Sequence, residues 1–143
     1  MLTPVQGWLQ PDEGNLRRYV NHCIENGVDG LFPVSSVGEF IHFDFAVKKK
    51  IIDIVVDEAD GRVPVVPGIS DSNPRTAAAL VLYARELGCS GAVICPPYYF
   101  PISEPMLETF FRRVIGDLQG FPVLLYNIPL FTTALSPRLC GEL

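Results

Sequence analysis

Two periods of apolar residues alternate along this chain. Short apolar runs occupy residues 31–34, 63–68, 91–95 and 121–125. Between them, apolar positions recur at helical spacing: Leu16, Tyr19, Val20, Cys23 and Ile24; Val47, Ile51, Ile54 and Val55; Ala77, Leu80, Val81, Ala84 and Leu87; Leu107, Phe110, Phe111 and Val114. The runs predict strands and the stripes predict helices with one buried face. Punctuation agrees. Asn15, Asp44, Asn73 and Ser103 stand as N-caps, Pro74 and Pro137 follow caps at Asn73 and Ser136, and Gly27, Gly61 and Gly88 stop helices. Residues 1–11 read as the tail of a first strand and a loop. Phe121, Val123, Leu124 and Leu125 have no polar residue among them, the pattern of a strand buried on both faces.

Strand ends fall near Ser35, Gly68, Cys95 and Tyr126, at spacings of 33, 27 and 31 residues. That is one βα unit of roughly 30 residues each time. Strict βα alternation means an α/β fold with a parallel sheet. Two architectures fit. One is a partial (β/α)8 TIM barrel of about the first five βα units, since a whole barrel needs about 250 residues. The other is a flavodoxin-like doubly wound parallel sheet. Residues 1–143 are expected to form a single domain, with a last helix that starts at Ser136-Pro137.

Composition narrows the function. Hydrophobic residues make up 48% and charged residues 19%, but no window approaches the roughly 18 apolar residues of a membrane span. The first residues show no basic region followed by an apolar one, so a cytoplasmic protein without a signal peptide is expected. Net charge is −5, and Lys48-Lys49-Lys50 is the only basic run, read as a solvated helix face. Nucleic acid is not an expected partner. Cys23, Cys89, Cys95 and Cys140 form no CxxC, and His22 and His42 have no HExxH context, so no metal or other cofactor is expected. Cys23 and Cys89 fall on helix patterns, and the thiols are expected to be free in a reducing compartment.

The strand ends carry hydroxyls. Ser35-Ser36-Val37-Gly38-Glu39 follows one strand, Pro96-Pro97-Tyr98-Tyr99 another, and Tyr126-Asn127-Ile128-Pro129 a third. Carboxyl ends of parallel strands are where ligands bind in such folds. A Ser-Gly turn suits a carboxylate or phosphate. Phenols and alcohols relay protons but are poor nucleophiles alone.

These three motifs, in this order and spacing, resemble the dihydrodipicolinate synthase / N-acetylneuraminate lyase family, and the resemblance covers essentially the whole chain. It implies a TIM barrel of the class I aldolase type, in which a lysine on strand six forms a Schiff base with pyruvate or another 2-keto acid. By the same resemblance Tyr126 shuttles protons at the Schiff-base carbon, and Ser36 links it to a second tyrosine, Tyr99. Ser36, Val37 and Gly38 then hold the keto-acid carboxylate. Tyr99 would reach a neighbouring subunit's site, which implies a homo-oligomer.

The chain departs from the family pattern at three places. Val37 stands where a second Ser or Thr is frequent, and Ser35 replaces the first Gly of the motif. Phe131 stands where the synthases carry an arginine that grips the aldehyde's carboxylate. Losing a bidentate cation is not conservative. The resemblance therefore implies an aldolase or lyase acting on another sugar-acid or keto-acid adduct. The chain's only lysines are Lys48, Lys49 and Lys50, all on the second helix. The family's nucleophile is thus not among residues 1–143, which are expected to be inactive alone. A non-catalytic parallel α/β domain that binds a small carboxylate or a partner subunit is the alternative.

Overall fold

The computed structural model describes all of residues 1–143. Four parallel strand segments lie side by side in sequence order. Leu31 pairs with Val65, Gly68 with Val93, and strand β3 (Ala92–Ile94) with strand β4 (Val123–Leu125). A short antiparallel hairpin, β1 (Val5–Gln6) and β2 (Gln10–Pro11), precedes them. Of the expected strand tail and loop at residues 1–11, Met1 lies beside the first parallel segment, its ammonium donating to the Phe32 carbonyl at 3.0 Å, and residues 5–11 form this surface hairpin. Its turn presents the single tryptophan, Trp8, 89% exposed.

Prolines explain why the inner segments pair so briefly. Pro33, Pro64, Pro67 and Pro122 have no N–H to donate, but their carbonyls accept from Gly68, Leu31, Val93 and Ala92 across the sheet. Gly68 has its own reason. A Cβ there would lie 2.1 Å from the carbonyl oxygen of Val34, a separation that no side chain survives.

Helices α1 (Glu13–Glu25), α2 (Phe45–Ala59), α3 (Pro74–Glu86) and α4 (Glu104–Ile115) cover one face of the sheet, with α1 on α2 and α3 on α4. A six-residue helix α5 (Pro137–Glu142) follows Ser136, whose side chain accepts from Leu139 N–H. The predicted stripes supply the core: Leu16, Val20, Ile51, Ile54, Val55, Ala77, Leu80, Val81, Ala84, Leu107, Phe110, Phe111 and Val114 are all buried. Caps at Asp44 and Asn73 accept from Val47 and Arg75 N–H. The first helix is capped by Asp12 rather than Asn15, because Asp12 accepts the N–H of Asn15 and starts the helix a turn earlier. Cys89 lies beyond α3, not within it.

Two expectations fail for instructive reasons. β4 is not buried on both faces. Val123 and Leu125 pack on the core, while Leu124 turns to the other face and stays 54% exposed. Nothing in this chain covers that face at the sheet's last strand. The lysine run is also not a uniformly solvated face. Lys48 is 2% exposed, and its Nζ donates to Asp71 Oδ2 at 3.0 Å and to the Ser70 carbonyl at 3.2 Å. It also lies 5.5 Å from the centroid of the Phe40 ring. Only Lys50 is exposed, and Lys49 sits 4.0 Å over the Tyr83 ring.

A buried ammonium stripped of its partners is costly, and so are the partners stripped of it. Lys48→Met keeps the aliphatic stem but removes the donor to Ser70 and Asp71. It should lower stability by about 1–3 kcal/mol. Thermal denaturation followed by circular dichroism checks this; a Tm unchanged within about 1 °C would show that the pair contributes nothing.

Candidate active site at the strand ends

The carboxyl ends of the four strand segments open on one cavity of about 320 Å³. Ser35 and Ser36 reach it from the first segment, Ser70 from the second, Cys95 and Tyr98 from β3, and Tyr126 from β4. Phe32, Phe40, Ile41, Ile128 and Phe131 supply much of its apolar wall.

Local backbone sets the first loop. Val34 adopts φ +54° and Glu39 φ +57°, so the chain turns sharply at each end of Ser35–Gly38. Such values are unfavourable for non-glycine residues. Here the close approach of Val34 to Gly68 holds the first of them. Ser35 is buried, and its hydroxyl accepts from Gly38 N–H at 3.2 Å and donates to the Met1 carbonyl at 3.2 Å. Glu39 and Phe40 N–H bond back to the Ser36 and Ser35 carbonyls. The N–H groups of Ser36 and Val37 donate to no group in the chain. Of the three residues expected to hold a carboxylate, Ser36 and Val37 offer free donors and Gly38 does not. Gly38 has another use, since a Cβ there would meet Thr3 Oγ1 at 2.8 Å.

Ser36 Oγ lies 3.4 Å from Tyr126 OH, within reach for a hydroxyl relay. The Tyr126 ring stands edge-on to Phe32, with centroids 6.3 Å apart, and its N–H donates to the Ile94 carbonyl. Asn127 Oδ1 accepts from Leu135 N–H and closes the loop that follows. Tyr99 is elsewhere. It has φ +86°, is 86% exposed, and stacks edge-on against Phe100. Ser36 and Tyr126 therefore meet within this chain, and Tyr99 points out of it.

The residues that sequence reading missed lie at the second segment and β3. Ser70 is buried and its hydroxyl accepts from Cys95 N–H at 3.0 Å. Ser72 clamps Tyr98 twice, accepting from its N–H and donating to its carbonyl. Tyr98, packed edge-on to Phe40, is the cavity's second phenol. Burial pushes its hydroxyl above the usual tyrosine range, and nearby Asp71 adds to this. Burial likewise raises the Cys95 thiol. The available signal was the position of Ser70 two residues past Gly68, level with Ser36 and Cys95 at neighbouring strand ends.

A family model described as the dihydrodipicolinate synthetase family matches residues 1–143. This chain belongs to that family. It is 38% identical over 120 residues to a 4-hydroxy-tetrahydrodipicolinate synthase of Pelobacter propionicus, covering 82% of this chain and 40% of the relative. A second such synthase, from Methanothermobacter thermautotrophicus, is 35% identical over 130 residues, covering 90% of this chain and 45% of the relative. Among solved structures, YagE from Escherichia coli K12, a member of the dihydrodipicolinic acid synthase family crystallised with pyruvate, superposes with a TM-score of 0.92. It is 34% identical, with 99% of this chain and 47% of that one covered. The chain thus spans about half the length of its relatives, and the fold is a partial (β/α)8 barrel rather than a doubly wound sheet.

Thiol chemistry tests the burial at this site. A thiol must ionise to be alkylated. Burial pushes Cys89 up to about 11 and raises Cys95, whereas Cys140 is exposed. Iodoacetamide at neutral pH should modify Cys140 roughly tenfold faster than Cys89 or Cys95. Peptide mass spectrometry over a time course reads this, and equal rates at all sites would refute the packing around Cys95.

Proposed function

We propose that residues 1–143 form a single unit, the first five βα segments of a class I aldolase or lyase that joins a 2-keto acid of the pyruvate type to an aldehyde or splits the adduct. The observation that carries this reading is the pairing of Ser36 Oγ with Tyr126 OH at 3.4 Å, beside two N–H groups that no group in the chain occupies. Paired N–H donors at a turn suit a carboxylate, and the phenol–alcohol pair can carry a proton to or from the carbon beside it. Membership of the dihydrodipicolinate synthetase family supports this chemistry.

In this reading the keto-acid carboxylate lies on the N–H groups of Ser36 and Val37, with Ser36 Oγ as a third contact. Tyr126 passes protons to and from the oxygen on the keto-acid carbonyl carbon. The amine comes from a lysine outside residues 1–143. Lys48 is unsuited to it, because its Nζ is held by Asp71 and the Ser70 carbonyl. Tyr99, exposed beside Phe100 and Phe131, completes the relay of a neighbouring copy in a homo-oligomer. No helix is long and apolar enough to cross a membrane. The four free thiols suit a reducing, cytoplasmic setting.

Two measurements on the complete gene product decide the matter. Tyr126→Phe should lower turnover by roughly a hundred- to ten-thousand-fold, as for other lost proton-transfer groups. Steady-state kinetics within threefold of the parent would return Tyr126 to a packing role. Borohydride reduction with pyruvate should give a single covalent adduct, mapped by mass spectrometry to a lysine outside residues 1–143. An adduct on Lys48, Lys49 or Lys50 would contradict the topology.

A further inference from the structure

Tyr99 carries a backbone strain that something must hold. Its φ of +86° is the largest positive value at any non-glycine residue of the chain, and a bulky side chain strongly disfavours that region. Such a residue keeps its conformation only where its surroundings over-determine it. Its own N–H donates to no group in the chain, and no backbone N–H reaches the Tyr98 carbonyl. The hold comes instead from one side chain. Ser72 Oγ accepts the Tyr98 N–H at 3.1 Å and donates to the Tyr98 carbonyl at 3.0 Å. That carbonyl belongs to the planar peptide group that joins Tyr98 to Tyr99, so fixing it fixes the plane from which φ of Tyr99 is set.

An exposed hydroxyl alone is a poor anchor, because water competes for both bonds. Ser72 is exposed, but its neighbours are tied down. Asp71 Oδ2 takes the buried Lys48 ammonium, and Asp71 Oδ1 accepts from Asn73 N–H at 2.9 Å. Asn73 in turn caps α3 by accepting from Arg75 N–H at 3.0 Å. Residues 71 and 73 are thus bonded on either side of Ser72. At the far end of the turn, Ile102 N–H donates to Thr133 Oγ1 at 3.1 Å and joins it to the loop after β4. Each bond in this series is made within residues 1–143.

We infer that Ser72 is a positioning residue for the reaction. It acts through the peptide between Tyr98 and Tyr99, turning the Tyr98 ring toward the cavity and holding the Tyr99 phenol outward. This rests on the reading of Tyr99 above, as a member of a neighbouring copy's relay. Without the Ser72 hydroxyl the turn relaxes toward negative φ, and the phenol leaves the place that the relay needs. The loss falls on turnover rather than on keto-acid binding, since the N–H groups of Ser36 and Val37 are untouched.

A double-mutant cycle in the complete gene product tests this. Tyr99→Phe should lower kcat by roughly tenfold or more. Ser72→Ala should lower kcat by about fivefold or more and leave KM for pyruvate within about threefold, whereas Ser72→Thr, which keeps the hydroxyl, should retain about half of the parent kcat or more. In the Tyr99→Phe background Ser72→Ala should cost less than about twofold, because the phenol it positions has already lost its hydroxyl. Ser72 lies at the surface, so the Tm of Ser72→Ala should stay within about 3 °C of the parent. An equal cost of Ser72→Ala in both backgrounds, parental kcat in Ser72→Ala, or a Tm lowered well beyond that range overturns the inference and leaves the aldolase reading standing. Tyr99→Phe with kcat within about threefold of the parent overturns both the inference and the relay role of Tyr99. Borohydride trapping of pyruvate, measured on every variant, reads the aldolase chemistry separately: the adduct should form in all of them, and its absence from the parent overturns that reading and this inference together.

Discussion

A buried ammonium must be neutralised, and that requirement fastens several parts of this chain together. Lys48 belongs to α2, but its partners, Ser70 and Asp71, lie on the loop after the second strand segment. The same loop reaches onward. Ser70 takes the N–H of Cys95, and Ser72 takes both backbone groups of Tyr98. One charge on a helix thereby sets the height of two strand ends and the start of the Pro-Pro-Tyr-Tyr turn. In a low-dielectric setting such a network is rigid only when every member is satisfied. Each of these groups has its partner.

The periodicity carried most of the fold. Helix stripes and caps such as Asp44 and Asn73 were legible because their signals are local: a side chain of one residue and the N–H of another two or three positions on. Strand identities were legible for a different reason, since prolines and glycines bound each apolar run. Errors arose where a local signal had a rival. Asp12 and Asn15 are both competent caps, and the earlier one engages the later. Leu124 reads as core in an apolar run, but burial depends on what lies across the sheet, which a single strand does not encode.

The site was legible in part. Ser36 and Tyr126 stood out because hydroxyls at strand ends are chemically specific, and they do meet across 90 positions of sequence. Lys48 did not stand out, because a run of three lysines suggests a wet surface. Its spacing told more than its charge: Ile51, Ile52 and Val55 follow it at three, four and seven positions, all buried on one face. Tyr98 was overlooked beside Tyr99 because adjacent residues after a strand point to different places, and only the clamp from Ser72 decides which one turns inward.

The hairpin at the start of the chain has an optical consequence. Trp8 is the sole indole, and it stands 89% exposed on the hairpin turn, outside both the core and the cavity wall. Its emission reports bulk solvent and stays nearly constant while the interior rearranges. The phenols are better placed as reporters, since two of the five tyrosines, Tyr98 and Tyr126, line the cavity itself. Ultraviolet difference absorbance, rather than tryptophan fluorescence, is the intrinsic signal through which this molecule announces that its strand ends are occupied.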